Sequence, residues 1–161
     1  MVPVVLWLIL GFWEDWEGRL AALVLLVLAA STDGIDGMIA RRRNLVTNLG
    51  KILDPIADKA LLSGALIALS MQDAVPWIAT IIILIRELGI TIYRLVVVRK
   101  RVIAASGGGK FKTVMQIIAV SLAIAPFEFL GSWYLVFVQL VLWFTVALTV
   151  YTGVDYLRPK K

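Results

Sequence analysis

The sequence has neither cysteine nor histidine among its 161 residues. Without Cys there is no disulfide framework, no thiolate metal site and no cysteine nucleophile, and without His the usual general base and the commonest transition-metal ligand are missing as well. Charge is also scarce: 17% of the residues are Asp, Glu, Lys or Arg, whereas 61% are hydrophobic, against about 45–50% apolar in a typical soluble domain. That balance excludes an ordinary soluble protein, and any chemistry must rest on Asp, Glu, Lys, Arg and hydroxyl groups. Internal repeats, low-complexity tracts and a strand leading into a phosphate-binding glycine fingerprint are absent too; Gly107–Gly109 reads only as a flexible loop start. The net charge of +5, from 16 basic and 11 acidic residues, fits anionic headgroups or a phosphorylated substrate better than nucleic acid in so apolar a chain.

What is present is a series of six apolar stretches, at Val2–Trp13, Leu20–Ile39, Ile52–Met71, Val75–Val98, Val114–Phe129 and Trp133–Val154. At about 20 residues per span they leave no room for a second domain, so residues 1–161 are expected to form one all-α, polytopic membrane domain of six helices. The first stretch is too short for a full span and carries no basic leader or small-residue cleavage site, which reads as a clipped membrane helix rather than a signal peptide. Trp13, Trp16, Trp77, Trp133 and Tyr134 fall near the expected ends, at the headgroup level that aromatic side chains prefer.

Orientation follows from the basic residues. Arg41, Arg42, Arg43 and Lys51 lie between spans 2 and 3, Arg99, Lys100, Arg101, Lys110 and Lys112 between 4 and 5, and Arg158, Lys160 and Lys161 at the end. The alternate connections carry Glu14, Asp15, Glu17, Asp73 and Glu128, with Arg19 as their only base. The positive-inside rule then places the basic side, and both termini, in the cytoplasm.

Four carboxylates stand out against this background: Asp33, Asp36, Asp54 and Asp58, within or at the cytoplasmic ends of spans 2 and 3. An Asp at a helix centre costs roughly 2.5–3.5 kcal/mol on insertion scales. Four facing lipid would cost on the order of 10 kcal/mol, which a marginal stability of about 5–15 kcal/mol does not absorb. At about 100° per residue, Asp33, Asp36, Gly37, Ala40 and Arg41 share one arc, and Gly50, Asp54 and Asp58 step only about 40° apart on the next helix. Two such faces gather an all-oxygen donor set, which suits hard divalent cations such as Mg²⁺ or Mn²⁺. Gly37 and Ala40 leave room for a diphosphate to approach the backbone, and Arg41 can donate to phosphate. The plain alternative, carboxylates salt-bridged to Arg41, Lys51 or Lys59 for packing alone, needs neither the small residues nor so many acids.

As a string, Asp33-x₂-Asp36-Gly37-x₂-Ala40-Arg41-x₈-Gly50-x₃-Asp54-x₃-Asp58 resembles, at every position, the signature of the CDP-alcohol phosphotransferases. The surrounding residues are similar to the branch of that family that makes phosphatidylglycerol phosphate. These are Thr32 to Gly37, Leu45 to Lys51 and Leu53 to Lys59, then Ile85-Arg86-Glu87 with Thr91 and Arg94, and Gly109 to Thr113 with Gln116. The likeness runs from about Pro3 to Tyr156.

The resemblance implies transfer of a phosphatidyl group from CDP-diacylglycerol to the primary hydroxyl of sn-glycerol 3-phosphate, with release of CMP. It also implies a homodimer of six-helix subunits, multi-pass in the bacterial cytoplasmic membrane, each around a polar cavity that opens to the cytoplasm. By carry-over, Asp33, Asp36, Asp54 and Asp58 would ligate two divalent cations, Asp33, Gly37, Ala40, Arg41 and Gly50 would bind CDP, and Asp58 would be the catalytic base. Paired metals would clamp the diphosphate for an in-line attack; an Asp nucleophile with a phosphatidyl-enzyme intermediate is the chemical alternative. One departure from the family pattern is that the amphipathic Asn-x-Leu-Thr-x₂-Arg-like stretch before the first span is absent, so the first helix is expected to be shortened or truncated.

An anionic acceptor needs cations, and Arg86, Arg94, Lys110 and Lys112 are expected to form its phosphate pocket. Arg86 is the most telling, because a lone guanidinium inside a span is costly unless paired. Glu87 lies about 100° round the helix, poorly placed to share a face with Arg86, and is expected to orient an Arg or Lys rather than catalyse. Ala60, Ser63, Gly64 and Ala68 read as a close-packing stripe, and Pro126 as the end of the fifth helix with Glu128 in no chemical role. Sister transferases with phosphatidylglycerol or inositol phosphate as acceptor are the nearest alternatives. A divalent-cation transporter is a more distant one, since its polar groups would extend toward both faces of the membrane.

Overall fold

The structure is a computed structural model that describes the backbone of residues 1–42, 50–97 and 107–157 and the side chains of residues 1–32, 59–93 and 111–156. Six helices account for it: α1 Val2–Gly11, α2 Trp16–Arg42, α3 Gly50–Met71, α4 Trp77–Val97, α5 Gly107–Ile124 and α6 Ser132–Leu157, with a 3₁₀ turn at Glu128–Leu130 before α6. The described residues contain no strand, in keeping with the all-α expectation.

Local chemistry sets several of the boundaries. Pro3 sits in the first turn of α1, where its missing N–H costs nothing. Asp73 takes a left-handed φ of 56° after α3, a conformation Asp tolerates, and its neighbour Ala74 closes the helix end by donating to the Leu69 carbonyl at 3.0 Å. Gly131, at φ 92°, turns the chain into α6 in a region open to glycine. The fifth helix, expected to open at Lys110 and Lys112 and to end at Pro126, corrects the sequence reading at its start and agrees with it at its end. It starts at Gly107, so Gly107–Gly109 form its first turn and not a loop, and it stops at Ile124, two residues before Pro126. Hydropathy marks where a helix is apolar, whereas its backbone hydrogen bonding here continues through the polar turn that carries Lys110 and Lys112.

The central element is α3, which packs against α1, α2, α4 and α5, while α6 covers α4 and α5. Val5, Ile9, Leu26, Leu66, Leu69, Ile83, Ile124 and Leu142 are buried between them, interleaved with Ala22, Ala65, Ala68 and Ala79. Small residues let helices approach closely. A Cβ on Gly64 would sit 3.1 Å from Leu6 Cδ2, which fulfils the packing expectation for Gly64 and, with it, Ala68. Ala60 instead is exposed.

The outer surface is apolar. Ile78, Ile81, Ile85, Leu88 and Ile92 line the outside of α4, and Leu135, Val136, Leu140, Phe144 and Tyr151 that of α6. Among the described residues, Ser132–Tyr156 is the one helix long and apolar enough to cross a membrane, and only 28% of its most apolar window is buried, unlike the core helix of a soluble protein. Trp16, Trp77 and Trp133 stand exposed at the N-terminal ends of α2, α4 and α6.

That same end is stapled by Arg19 of α2. Its Nε and Nη2 donate to the carbonyls of Ile124 and Ala125, both at 3.0 Å, Nη2 pairs with Glu128 at 2.6 Å, and the guanidinium lies 4.3 Å from the centre of the Trp13 ring. The staple satisfies carbonyls that the end of α5 leaves open and sets a cation at the negative end of its dipole. Glu128, given no role from sequence, is thus an ion-pair partner.

Candidate functional site

The alternating course of the helices brings the end of α2, the start of α3, the later half of α4, the start of α5 and the end of α6 to the end of the bundle opposite Arg19. Asp33, Asp36, Gly37, Ala40 and Arg41 belong to α2, and Gly50, Asp54 and Asp58 to α3. Within each helix the acids stand three or four residues apart, and the two helices pack against each other. The side chains of all eight residues lie outside the described residues, as do those of Arg94 on α4 and Lys110 on α5. The donor set suits a hard cation: carboxylates alone, on two packed helices, in a chain without Cys or His.

The residue after Asp58 is Lys59, and from there the side chains are described. Lys59, Arg86 and Lys112, on α3, α4 and α5, converge on one carboxylate, that of Glu87. Arg86 Nη1 donates to Glu87 Oε1 at 3.1 Å; Lys112 Nζ donates to the same oxygen. Lys59 Nζ stands 3.7 Å from Oε2 and donates to the Glu87 main-chain carbonyl at 3.3 Å and to Thr91 Oγ1. Thr91 gives its own proton to the Glu87 carbonyl at 2.6 Å. On the far side, Arg86 Nη2 donates to Thr152 Oγ1 of α6 at 3.0 Å. Gln116, one turn beyond Lys112, is buried on the same helix.

Two of the four residues expected to bind the acceptor phosphate, Arg86 and Lys112, are therefore together. The pairing of Arg86 with Glu87 corrects the sequence reading, which set Glu87 off the Arg86 face. An angle about the helix axis describes Cβ directions, and the long, flexible Arg side chain curls across the difference. Lys59 was missed as a member of the site. In the sequence it stands only as a possible packing partner for the aspartates, and no signal there ties it to Glu87, 28 residues further on.

The electrostatics leave this cluster positive. Arg86 and Lys112 alone place two cations on one carboxylate oxygen, with side chains 15% and 3% exposed. Arg86 Nε is buried with no hydrogen-bond partner, and an orphaned buried donor costs about 1–3 kcal/mol. A buried surplus of cations on one carboxylate has the charge and the guanidinium fork that suit an anion such as phosphate.

Comparison with known proteins bears on the same features. The family model for CDP-alcohol phosphatidyltransferases matches residues 1–151. A Mycobacterium tuberculosis protein described as a probable phosphatidylglycerophosphate synthase is 44% identical over 157 residues, covering 97% of this chain and 74% of its own length. Two proteins described as CDP-diacylglycerol--glycerol-3-phosphate 3-phosphatidyltransferase are also similar. The Bacillus subtilis one is 45% identical over 142 residues (86% of this chain, 72% of its own length), and the Rickettsia felis one 37% identical over 164 residues (100% and 89%). With nearly all of its length matched by the family model, the chain belongs to the CDP-alcohol phosphatidyltransferase family.

Proposed function

We infer that this protein transfers the phosphatidyl group of CDP-diacylglycerol to sn-glycerol 3-phosphate, forming phosphatidylglycerol phosphate and CMP. The names of the relatives carry the reaction and both substrates. The observation in the chain itself that favours a phosphorylated acceptor is the buried cation cluster on Glu87. A neutral acceptor would give Arg86 and Lys112 no charge to bind.

The assignment of roles follows the Asp motif. Asp33, Asp36, Asp54 and Asp58 would hold two divalent cations, Mg²⁺ or Mn²⁺, which when bound would neutralise the diphosphate and the charge that develops on departing CMP. Asp33, Gly37, Ala40, Arg41 and Gly50 would shape the CDP pocket. Arg86, Arg94, Lys110 and Lys112, joined now by Lys59, would hold the acceptor phosphate close to Asp58, which precedes Lys59 in α3. Asp58 would take the proton of the attacking hydroxyl. The hydroxyl oxygen bonds to the phosphorus that bears diacylglycerol while the bond from that phosphorus to the CMP oxygen breaks. Positioning supplies most of the rate in such a transfer.

The reading includes a single domain through residues 1–161 and six membrane helices with the Asp-motif end in the cytoplasm. The apolar outer surface and the alternation of basic and acidic connections support it; a homodimer rests on the resemblance alone.

The test is release of CMP by the purified protein in detergent with CDP-diacylglycerol, Mg²⁺ and one acceptor at a time. CMP that appears only with glycerol 3-phosphate is expected. CMP only with inositol phosphate or phosphatidylglycerol would replace the acceptor, and none with any acceptor from folded protein would remove the enzyme reading in favour of cation transport.

A further inference from the structure

Arg86 leaves the middle of α4 and ends against α6, and the contact at α6 is specific. Its Nη2 meets Thr152 Oγ1 at 3.0 Å. That hydroxyl gives its proton to the Leu148 carbonyl at 2.8 Å, which turns a lone pair toward the guanidinium, and the β-branch of Thr keeps the side chain stiff. Next in sequence is Gly153. A Cβ at this position would stand 3.0 Å from Arg86 Cγ and 3.2 Å from Arg86 Nε, so the stem of the arginine lies directly on the bare backbone of α6. Glycine is a poor resident of a helix, and Gly153 is buried within α6, four residues before the helix ends. Its lack of a side chain is what the arginine uses.

We propose that Thr152 and Gly153 are positioning residues: they form a seat on α6 that holds the Arg86 guanidinium where it receives the acceptor's phosphate. The seat works with Glu87. The carboxylate fixes Nη1 from the α4 side and Thr152 fixes Nη2 from the α6 side, while Gly153 sets how deep the stem lies. An added methyl at 153 would press on Cγ and Nε, so the arginine must give by a few tenths of an ångström and carry its guanidinium with it. The proposal rests on the assignment of Arg86 to the acceptor phosphate, and it adds a second consequence, that α6 sets acceptor affinity without touching the acceptor.

The experiment is steady-state kinetics of the full chain in detergent, with CMP release as the signal and each substrate varied. Gly153→Ala is expected to raise KM for glycerol 3-phosphate about tenfold, with KM for CDP-diacylglycerol and kcat within about twofold and no loss of thermal stability. Thr152→Val is expected to move KM in the same direction by a smaller factor. In an Arg86→Ala background, Gly153→Ala is expected to have no further effect, since the group it displaces is gone; Arg86→Lys serves as the background if the alanine variant does not fold. An unchanged KM in Gly153→Ala, or an equal rise with and without Arg86, would overturn the seat. If Arg86→Ala raises KM and Gly153→Ala does not, only the seat falls. If Arg86→Ala itself leaves KM unchanged, the phosphate assignment falls and the seat with it.

Discussion

Glu87 stays buried, at 8% exposure, because cations from three helices surround it, and it in turn is what keeps Arg86 and Lys112 tolerable inside the bundle. Removing one partner of a buried ion pair typically costs about 3–5 kcal/mol, since the other charge is left uncompensated. Glu87→Gln is therefore expected to lower stability on the order of 3 kcal/mol and to shift the detergent unfolding midpoint down by several degrees. Lys112→Met, which leaves Arg86 to pair with Glu87, is expected to lose less. At Asp58 the expectation is catalytic: Asp58→Asn should abolish CMP release while CDP-diacylglycerol binding, followed by equilibrium retention of the labelled lipid, stays within about tenfold of the unmodified protein. Retained turnover would exclude Asp58 as the essential base. These residues were unequally legible in the sequence. Arg86 is conspicuous because an unpaired cation in an apolar run is costly, and the motif acids because of their fixed spacing. Glu87 pairs with an Arg and a Lys, as the sequence suggests, but it faces Arg86, which its angle on the helix does not reveal. Lys59 was invisible as its partner because contacts between helices are set by packing angle and depth, which a one-dimensional pattern does not contain.

At the level of elements, the two ends of the bundle are held by different chemistry, and substitutions should separate them. Arg19 anchors α2 to the end of α5 with two hydrogen bonds to carbonyls, and its partner Glu128 is half exposed. Bonds from a charged donor contribute about 1.5–3 kcal/mol each, whereas an ion pair open to solvent contributes up to about 1 kcal/mol. Arg19→Met is thus expected to lower stability by about 3 kcal/mol and Glu128→Gln by under about 1 kcal/mol, measured by thermal unfolding, with KM for glycerol 3-phosphate unaltered in both. Gly18→Ala is a sharper test of the α1–α2 corner. Its Cβ would meet Phe12 Cβ and stand 2.9 Å from the Phe12 carbonyl oxygen, atoms that move only with the backbone, so a cost of about 1–3 kcal/mol is expected to exceed the gain of about 1 kcal/mol in helix propensity. Hydropathy located all six helices, and Pro126 and Pro76 flank real boundaries. The fifth apolar stretch starts at Val114, and Lys110 and Lys112 are expected to open its helix, whereas the helix begins at Gly107, because Gly107 to Thr113 are helical without forming an apolar run. The Arg19 staple was equally hidden: its acceptors are main-chain carbonyls, and any residue type supplies those.

For the whole molecule, the apolar exterior and the polar ends describe a body suited to a bilayer, with the family motif and the cation cluster at one end and the Arg19 staple at the other. The four motif acids and the cation cluster have opposite signs, and on the proposed reading this division predicts how activity and stability respond to metal removal. Cations that bind only the native state stabilise it by an amount that grows with the logarithm of their concentration. If the four carboxylates share one site, as proposed, they repel one another in the absence of those cations. Chelation with EDTA is therefore expected to abolish CMP release and to lower the unfolding midpoint, and added Mg²⁺ or Mn²⁺ to restore both. The cations of the cluster are held by Glu87 itself, so on the proposed reading its occupation by glycerol 3-phosphate should not need the metal. Thermal stabilisation by glycerol 3-phosphate is expected to persist in EDTA in the unmodified protein and to vanish in Arg86→Ala. Loss of that stabilisation on chelation would mean that the acceptor binds through the metals instead of through Arg86 and Lys112.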